Sequence, residues 1–453
     1  MSVQSSPISQ GTRGSSGCIT PSGNSDESRQ RRYNPARDLL TGKIMTTKAP
    51  MLSVQEALGF LLSAARPITE TQTVPTLEGT GRVLAADQQS RLDVPPMDNT
   101  QMDGYAVRAA DCASGQASLK VAQRIPAGHV GQPLAAGTAA RIFTGALIPE
   151  GADAVIMQEQ CSFDQASGTV TISHSPQSGE WIRRAGEDIR AGSTILPSGT
   201  RLRAQELGLL ASVGLASLPV IRRLRVAVFF TGDELTMPGE PLKLGAIYNS
   251  NRFMLRGLLD HLGCDVTDLG NIPDSLDATR AALRQAASGH DLILTSGGVS
   301  VGEEDHVKPA VEAEGRLNLW QIAIKPGKPL AFGEVGQGER PAFFLGLPGN
   351  PVSSFVTFLL FVRPFILAMQ GAKPSNPQRF AMRADFSWPK ADRRNEFLRV
   401  RINEQQGLSL FPNQSSGVLT STVWGDGLVD NPAGQTIAAG DTVHFIPFSE
   451  LLY

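Results

Sequence analysis

Apolar positions along this chain follow three successive rhythms. Residues 1 to about 48 are rich in Ser, Gly, Gln and Arg with almost no apolar periodicity, the composition of a segment that stays disordered. It lacks the long apolar core of a secretory signal, and Met45 and Met51 stand just before the first periodic stretch as alternative starts. Helical spacing begins at Ser53, a capping residue, with Val54, Leu58, Leu61 and Leu62 on one face and Arg66-Pro67 as the stop. Between Leu119 and Trp181 short strand candidates (139–143, 154–157, 169–172) alternate with Gly and Pro turns, which predicts a small β domain. A helix from Ala204 to Val213 follows, so the β domain reads as inserted into an α+β element that begins near Ser53 and resumes near Gly186.

From Arg225 onward the pattern changes to continuous apolar runs separated by amphipathic helices. Strands are expected at Val226–Phe230, Cys264–Leu269 and Asp291–Thr295, with helices over Leu255 to Leu262, Leu276 to Ser288 and Val307 to Ala313. Such a βαβ series winds into an open, parallel, doubly wound sheet covered on both faces. Further strands lie at Leu317–Ile324 and Ala342–Leu345, with a hairpin turn at Gly336-Gln-Gly338. Pro348-Gly-Asn-Pro351 opens a long apolar helix with Asn350 as its cap. After Gly371 no helix signal remains, and 380–386, 396–402, 408–411, 417–423 and 442–447 read as the strands of a β barrel or sandwich. The expected division is a disordered extension (1–48), an α+β domain (49–97 with 187–222), an inserted β domain (98–186), a central α/β domain (223–371) and a C-terminal β domain (372–453).

Composition narrows the class. A net charge of -2 over 453 residues asks for neither nucleic acid nor an anionic membrane. Cys18, Cys112, Cys161 and Cys264 form no Cys-x-x-Cys pair, and the histidines do not cluster with them, against a disulfide framework and a structural zinc site. Phe355 to Met369 is interrupted by Thr357, Arg363 and Pro364, which suits a core helix better than a membrane span. A soluble, cytoplasmic protein is expected.

In open α/β sheets ligands sit beyond the carboxyl ends of the strands. There the sequence places Asp233, Glu234, Asp274, Glu303, Glu304, Asp305, Lys325-Pro-Gly-Lys328 and Gly346-Leu-Pro-Gly-Asn350. Carboxylates suit a hard divalent ion such as Mg²⁺. Lysines, glycine-exposed N–H groups and helix N-termini suit phosphate. Each piece alone reads as an ordinary turn: Ser296-Gly-Gly fits neither Walker A nor the dinucleotide fingerprint, and His306 reads as a helix start. Their convergence on one rim predicts a pocket for a phosphorylated ligand with a cation. No Ser-His-Asp arrangement or His-Glu-x-x-His motif points to covalent or zinc chemistry.

Seven segments in order then resemble one family. Met102-Asp-Gly-Tyr-Ala-Val107, Phe143-Thr-Gly145, Gly186-Glu-Asp188, Thr231-Gly-Asp-Glu-Leu235, Ser296-Gly-Gly-Val-Ser-Val-Gly302 with Asp305, Ile324-Lys-Pro-Gly-Lys-Pro329 and Gly346-Leu-Pro-Gly-Asn-Pro351 are similar to the MoeA family of molybdopterin molybdenumtransferases, which includes the E domain of gephyrin. The resemblance covers roughly residues 50 to 453. It implies a Mog/MoaB-like central domain, a C-terminal β barrel, a homodimer, and insertion of molybdate into adenylylated molybdopterin with Mg²⁺ and release of AMP. A Mog-type adenylyltransferase and molybdoenzyme maturation proteins are the implied partners.

By motif, the resemblance puts Glu234, Asp274 and Asp305 at the central site, the two aspartates as Mg²⁺ ligands, and gives Lys325 and Lys328 to phosphate or molybdate. Ser296, Gly297, Gly298, Ser300, Pro348 and Pro351 line it, Arg399 and the weaker match Ser416 help hold the oxyanion, and Asp103, Thr144 and Asp188 face it from the second subunit. Two positions depart from the usual family pattern: Thr100-Gln101 replaces Ser-Ala, and Gln321 replaces a lysine. The rival readings are a Mog-type adenylyltransferase, whose loop usually reads Gly-Gly-Thr-Gly where this chain has Gly-Gly-Val-Ser-Val-Gly, and a non-catalytic scaffold.

Overall fold

Ser53 caps the first helix, Val54–Ala64, reciprocally: Glu56 N donates to its hydroxyl, and its own N–H donates to the Glu56 carboxylate. A computed structural model of the chain describes residues 51–299, 305–374 and 376–452. Just ahead of the helix, Leu52 bridges to Ile322, and Phe60 meets Phe332 edge-on at 6.0 Å. Three short antiparallel ladders follow: Thr71–Pro75 with Ser217–Ile221, Gln88–Gln89 with Thr194–Leu196, and Asn99–Thr100 with Ile182–Arg183. Between the last pair runs a six-stranded sheet in the order 154–157, 104–107, 138–142, 117–125, 169–172, 161–164. Alternate residues of its central strands enter two separate clusters: Tyr105, Val107, Ala154 and Ile156 in one, Ala106, Ala140, Ile142 and Val155 in the other.

The central sheet has six strands in the order Asp265–Ile272, Arg225–Thr231, Leu292–Ser296, Ala342–Leu347, Pro329–Val335, Gly315–Gln321. The first four are parallel, as the βαβ series predicted, while Pro329–Val335 runs antiparallel to both its neighbours and reaches Ala342–Leu347 through the hairpin expected at Gly336-Gln-Gly338. The reason is chain length. A parallel return needs a crossover of a dozen or more residues, and residues 336–341 are long enough only for a hairpin. Every residue of Leu292–Ser296 and Ala342–Leu347 is buried, because both faces are covered. Phe229, Ile293 and Phe344 pack on one face with Leu283, Val307 and Val311. On the other, Phe365 lies edge-on to Phe332 and Phe343 at 5.6 and 5.1 Å. Phe365 belongs to the helix Pro351–Met369, which is long and apolar enough to cross a membrane but lies 78% inside the protein, as a core helix.

The C-terminal strands form a sheet in the order Ile324–Lys325, Asn395–Ile402, Gly427–Asn431, Thr442–Pro447, Phe380–Arg383. Leu408–Leu410 pairs with Asn395–Ile402 and bridges back to Ala384, so the sheet returns on itself. The expected strand 417–423 is instead a turn leading into a short helix, Thr420–Trp424. Ser421 and Thr422 donate their hydroxyls to the carbonyls three residues back, and these local bonds outcompete the β-branched strand signal.

The four parallel strands deliver their loops to one edge, where a buried polar knot joins them. Asn251 Nδ2 donates to Ser296 Oγ (2.9 Å) and to Gly349 O (2.8 Å), and Ser296 Oγ donates to Pro348 O (2.9 Å). Asn251 Oδ1 is buried and without a hydrogen-bond partner. The knot fixes three loops together at the cost of one unsatisfied acceptor. Asn251→Ala should therefore lower stability by about 2 kcal/mol, read as a fall on the order of 3 °C in the thermal unfolding midpoint. An unchanged midpoint would show that the knot contributes nothing net.

Candidate functional site

The acidic half of the rim is assembled from three strand exits. Asp274 N donates to Asp233 Oδ1 at 3.3 Å. Burial, chiefly, pushes the Asp274 carboxyl above the usual carboxylate range; His306 opposes this, and Asp233, Asp305 and Glu234 add to it by repulsion. Glu234, Asp274 and Asp305 therefore do come together, joined by Asp233 and His306. Glu234 curls over Gly232, where φ is +141° and an added Cβ would lie 2.6 Å from its carboxylate. Ser300, Glu303 and Glu304 lie outside the described residues.

No three His, Cys, Asp or Glu side chains among the described residues stand close enough to ligate one ion together. A cation here would take one or two carboxylates and complete its shell with water and substrate oxygens, the habit of Mg²⁺. It would also relieve the repulsion around Asp274, so the residues fit that ion.

Between the halves lies the glycine turn. Gly297 and Gly298 have φ of +100° and +64°, and Cβ atoms added there would meet Thr231 O and Val307 Cγ2, each at 2.6 Å. Only glycine fits. Thr231 Oγ1 beneath the turn is buried and has no hydrogen-bond partner, while the Ser296 hydroxyl points inward to Pro348 O.

The basic half comes from the junction with the C-terminal sheet. Ile324–Lys325 pairs in parallel with Asn395 and Glu396, which places Lys325 Nζ 2.8 Å from Glu396 Oε1 and 3.5 Å from Asp392 Oδ2. Glu396 is 1% exposed and also accepts from Trp388 Nε1 at 2.8 Å, so the Lys325 charge is already matched. Lys328 is exposed and makes no ion pair among the described residues. Arg399 is likewise 1% exposed, and burial pushes its pKa down to about 10. Its guanidinium donates to Ser421 Oγ, Phe397 O and Ser415 O at 3.1 to 3.4 Å, with no carboxylate among these partners. A buried cation without a counter-ion favours an anion nearby. Ser416 joins it through the backbone: Val352 N, in the first turn after Pro351, donates to Ser416 O at 3.0 Å.

Asp103 and Thr144 meet in the inserted sheet. The Thr144 hydroxyl and N–H donate to Asp103 Oδ1 at 2.6 and 2.7 Å, and these bonds hold the Asp103 carboxyl below the usual range. Asp188 is exposed, with its N–H on Val94 O at 2.9 Å. No hydrogen bond or ion pair among the described residues joins these three to the central rim.

Sequence reasoning missed two contributors. Residues 249–251 read together as candidate caps of the helix that follows; Asn249 takes that role, its side chain accepting from Arg252 N at 3.1 Å, and Asn251 is left for the knot. Glu396 sits in the motif read only for Arg399; a lone acid three residues from a buried arginine was the available signal.

Comparison with known proteins bears on what this rim serves. Sequence profiles match residues 52–214 (MoeA N-terminal region, domains I and II), 227–368 ("probable molybdopterin binding domain") and 381–448 (MoeA C-terminal region, domain IV). A molybdopterin molybdenumtransferase of Haemophilus influenzae is 42% identical over 412 residues, covering 89% of this chain and all of the relative. One from a Nostoc species is 35% identical, covering 89% and 95%. The crystal structure of a molybdopterin biosynthesis MoeA protein from Pyrococcus horikoshii superposes with a TM-score of 0.74 at 30% identity, covering 88% of this chain and all of that one. The chain belongs to the MoeA family, the molybdopterin molybdenumtransferases of molybdenum cofactor biosynthesis.

Proposed function

We propose that this chain inserts molybdate into adenylylated molybdopterin and releases AMP at the rim of the central sheet. The observation that carries this reading is the coexistence of an acid cluster around Asp274 at the strand exits with the buried, carboxylate-free guanidinium of Arg399, whose partner Ser415 adjoins Ser416 at the helix start after Pro351. Gly297 and Gly298 let backbone N–H groups approach the phosphates, and Lys328 adds a free positive charge. Arg399, with Ser416 and the helix start after Pro351, holds the molybdate oxyanion close to the phosphoanhydride that breaks. Asp274 and Asp305, backed by Glu234, would hold Mg²⁺. When bound, that ion neutralises and polarises the phosphoryl oxygens. Lys325, tied to Glu396, orients the cradle more than it adds charge.

The same reading takes the C-terminal sheet as a barrel closed at the Ala384–Leu408 bridge, within a four-domain, cytoplasmic protein. It places Asp103, Thr144 and Asp188 in the site of a second copy, since no hydrogen bond or ion pair among the described residues joins them to the rim of their own chain. A Mog-type adenylyltransferase would supply the substrate, and maturation proteins of molybdoenzymes would take the product.

The purified chain should release AMP from adenylylated molybdopterin only when molybdate is added, with Mg²⁺ increasing the rate. Adenylylation of molybdopterin from ATP by the chain alone would overturn the assignment in favour of the Mog-type activity. Asp274→Asn should lower kcat on the order of 100-fold with the thermal midpoint kept; full activity in that variant would remove Asp274 from the site. Asp103→Asn should be equally impaired, and unfolding and refolding the two inactive variants together should restore about a quarter of wild-type activity. Half the random dimers then carry one intact site of two. Absence of any recovery would place both residues in one chain's site.

A further inference from the structure

The inserted sheet carries a group of side chains that the reaction outlined above does not use. Arg124, on the strand Ala117–Ile125, stands directly opposite Arg141, on the parallel neighbour Thr138–Ile142. Like charges in facing positions repel, and neither arginine forms an ion pair among the described residues. Both turn to Phe143 instead: their guanidinium carbons lie 4.3 and 4.6 Å from its ring centroid, and Arg141 is also 5.2 Å from that of Tyr105. Arg141 is fixed by donating to Gly104 O at 2.9 Å and Gln158 Oε1 at 2.6 Å. Arg124 is exposed and makes no hydrogen bond among the described residues, so its donors are uncommitted. The next residue, Thr144, holds Asp103.

We propose that Arg124, Phe143 and Arg141 form a stacking platform for a planar, nitrogen-rich ring of the phosphorylated substrate. This rests on the reading of adenylylated molybdopterin as that substrate. Guanidinium planes and aromatic faces both stack on heterocycles, and an unpaired guanidinium beside the stack takes a phosphate oxygen. Arg141 is partly offset by the nearby Asp103 carboxylate, whereas Arg124 has no acid partner among the described residues and is left to take an anion. The substrate carries two rings of this kind, the pterin and the adenine, each close to the phosphates. The platform lies one residue from Thr144, on the half of the site contributed by the inserted sheet, so it would hold one end of the ligand while the rim of the central sheet holds the phosphates and molybdate.

The test uses the full chain with two separate ligands, AMP for the adenine half and unadenylylated molybdopterin for the pterin half. Each is titrated by calorimetry into wild type, Arg124→Gln and Phe143→Leu. Both variants should bind one of the two roughly tenfold more weakly, with the other ligand and the KM for molybdate unchanged; weakened AMP binding identifies adenine as the stacked ring, weakened molybdopterin binding the pterin. Wild-type affinity for both ligands in variants of unchanged melting temperature overturns the platform. So does a fall in melting temperature with equal loss for both ligands, which marks Arg124 and Phe143 as packing partners only. Failure of the wild type to release AMP on adding molybdate would count against the reaction, while the two titrations would still decide the platform.

Discussion

Four parallel strands whose carboxyl ends finish at one edge set the terms for everything else in the central domain. Parallel direction forces each exit loop to the same rim, and the crossover helices bury both faces of the sheet. The loops are then held in register by the buried contacts of Asn251 and Ser296 rather than by flexible surface bonds. Because a buried polar group left unpaired costs stability, such a knot persists where position matters more than net energy.

The rim is electrostatically divided. On one side burial and three carboxylates disfavour the charged form of Asp274; on the other burial disfavours the charge of Arg399, which no acid offsets. Each half is unfavourable alone and each is relieved by the opposite charge. On the proposed reading a cation and an oxyanion would satisfy them together. Lys325 shows the contrast: matched by Glu396 and Asp392, it has little attraction left to offer and acts through its fixed position.

The sequence exposed what depends on local pattern. Apolar periodicity located the strands Leu292–Ser296 and Ala154–Met157, and Ser53 marked a helix start, because burial and capping leave signatures within a few residues. The strand exits of the central sheet located Asp274, Glu234 and Asp305 on one rim. What stayed hidden depends on distant partners. The 417–423 turn follows from hydroxyls competing with strand pairing. That Lys325 is neutralised could not be read from its own loop, since Glu396 lies on a strand of another sheet. Nor does any local pattern show that Asn251, one residue inside its helix, faces Gly349.

The inserted sheet poses the complementary problem. Its Asp103–Thr144 pair is internally satisfied, with both Thr144 donors on one carboxylate oxygen, and a satisfied pair has no reason to seek the central rim of its own chain. Of the facing arginines beside it, Arg141 is held by Gly104 O and Gln158 Oε1 and drawn to Asp103, while Arg124 only stacks on Phe143, which cancels no charge. An anion for Arg124 would come from outside the sheet. A rim with a surplus of carboxylate on one side and a free lysine and buried arginine on the other can present a phosphorylated ligand to such a pair only if the ligand spans both surfaces. A substrate with a ring at each end and phosphates between has that shape, which ties the charge pattern of two separate sheets to a single molecule.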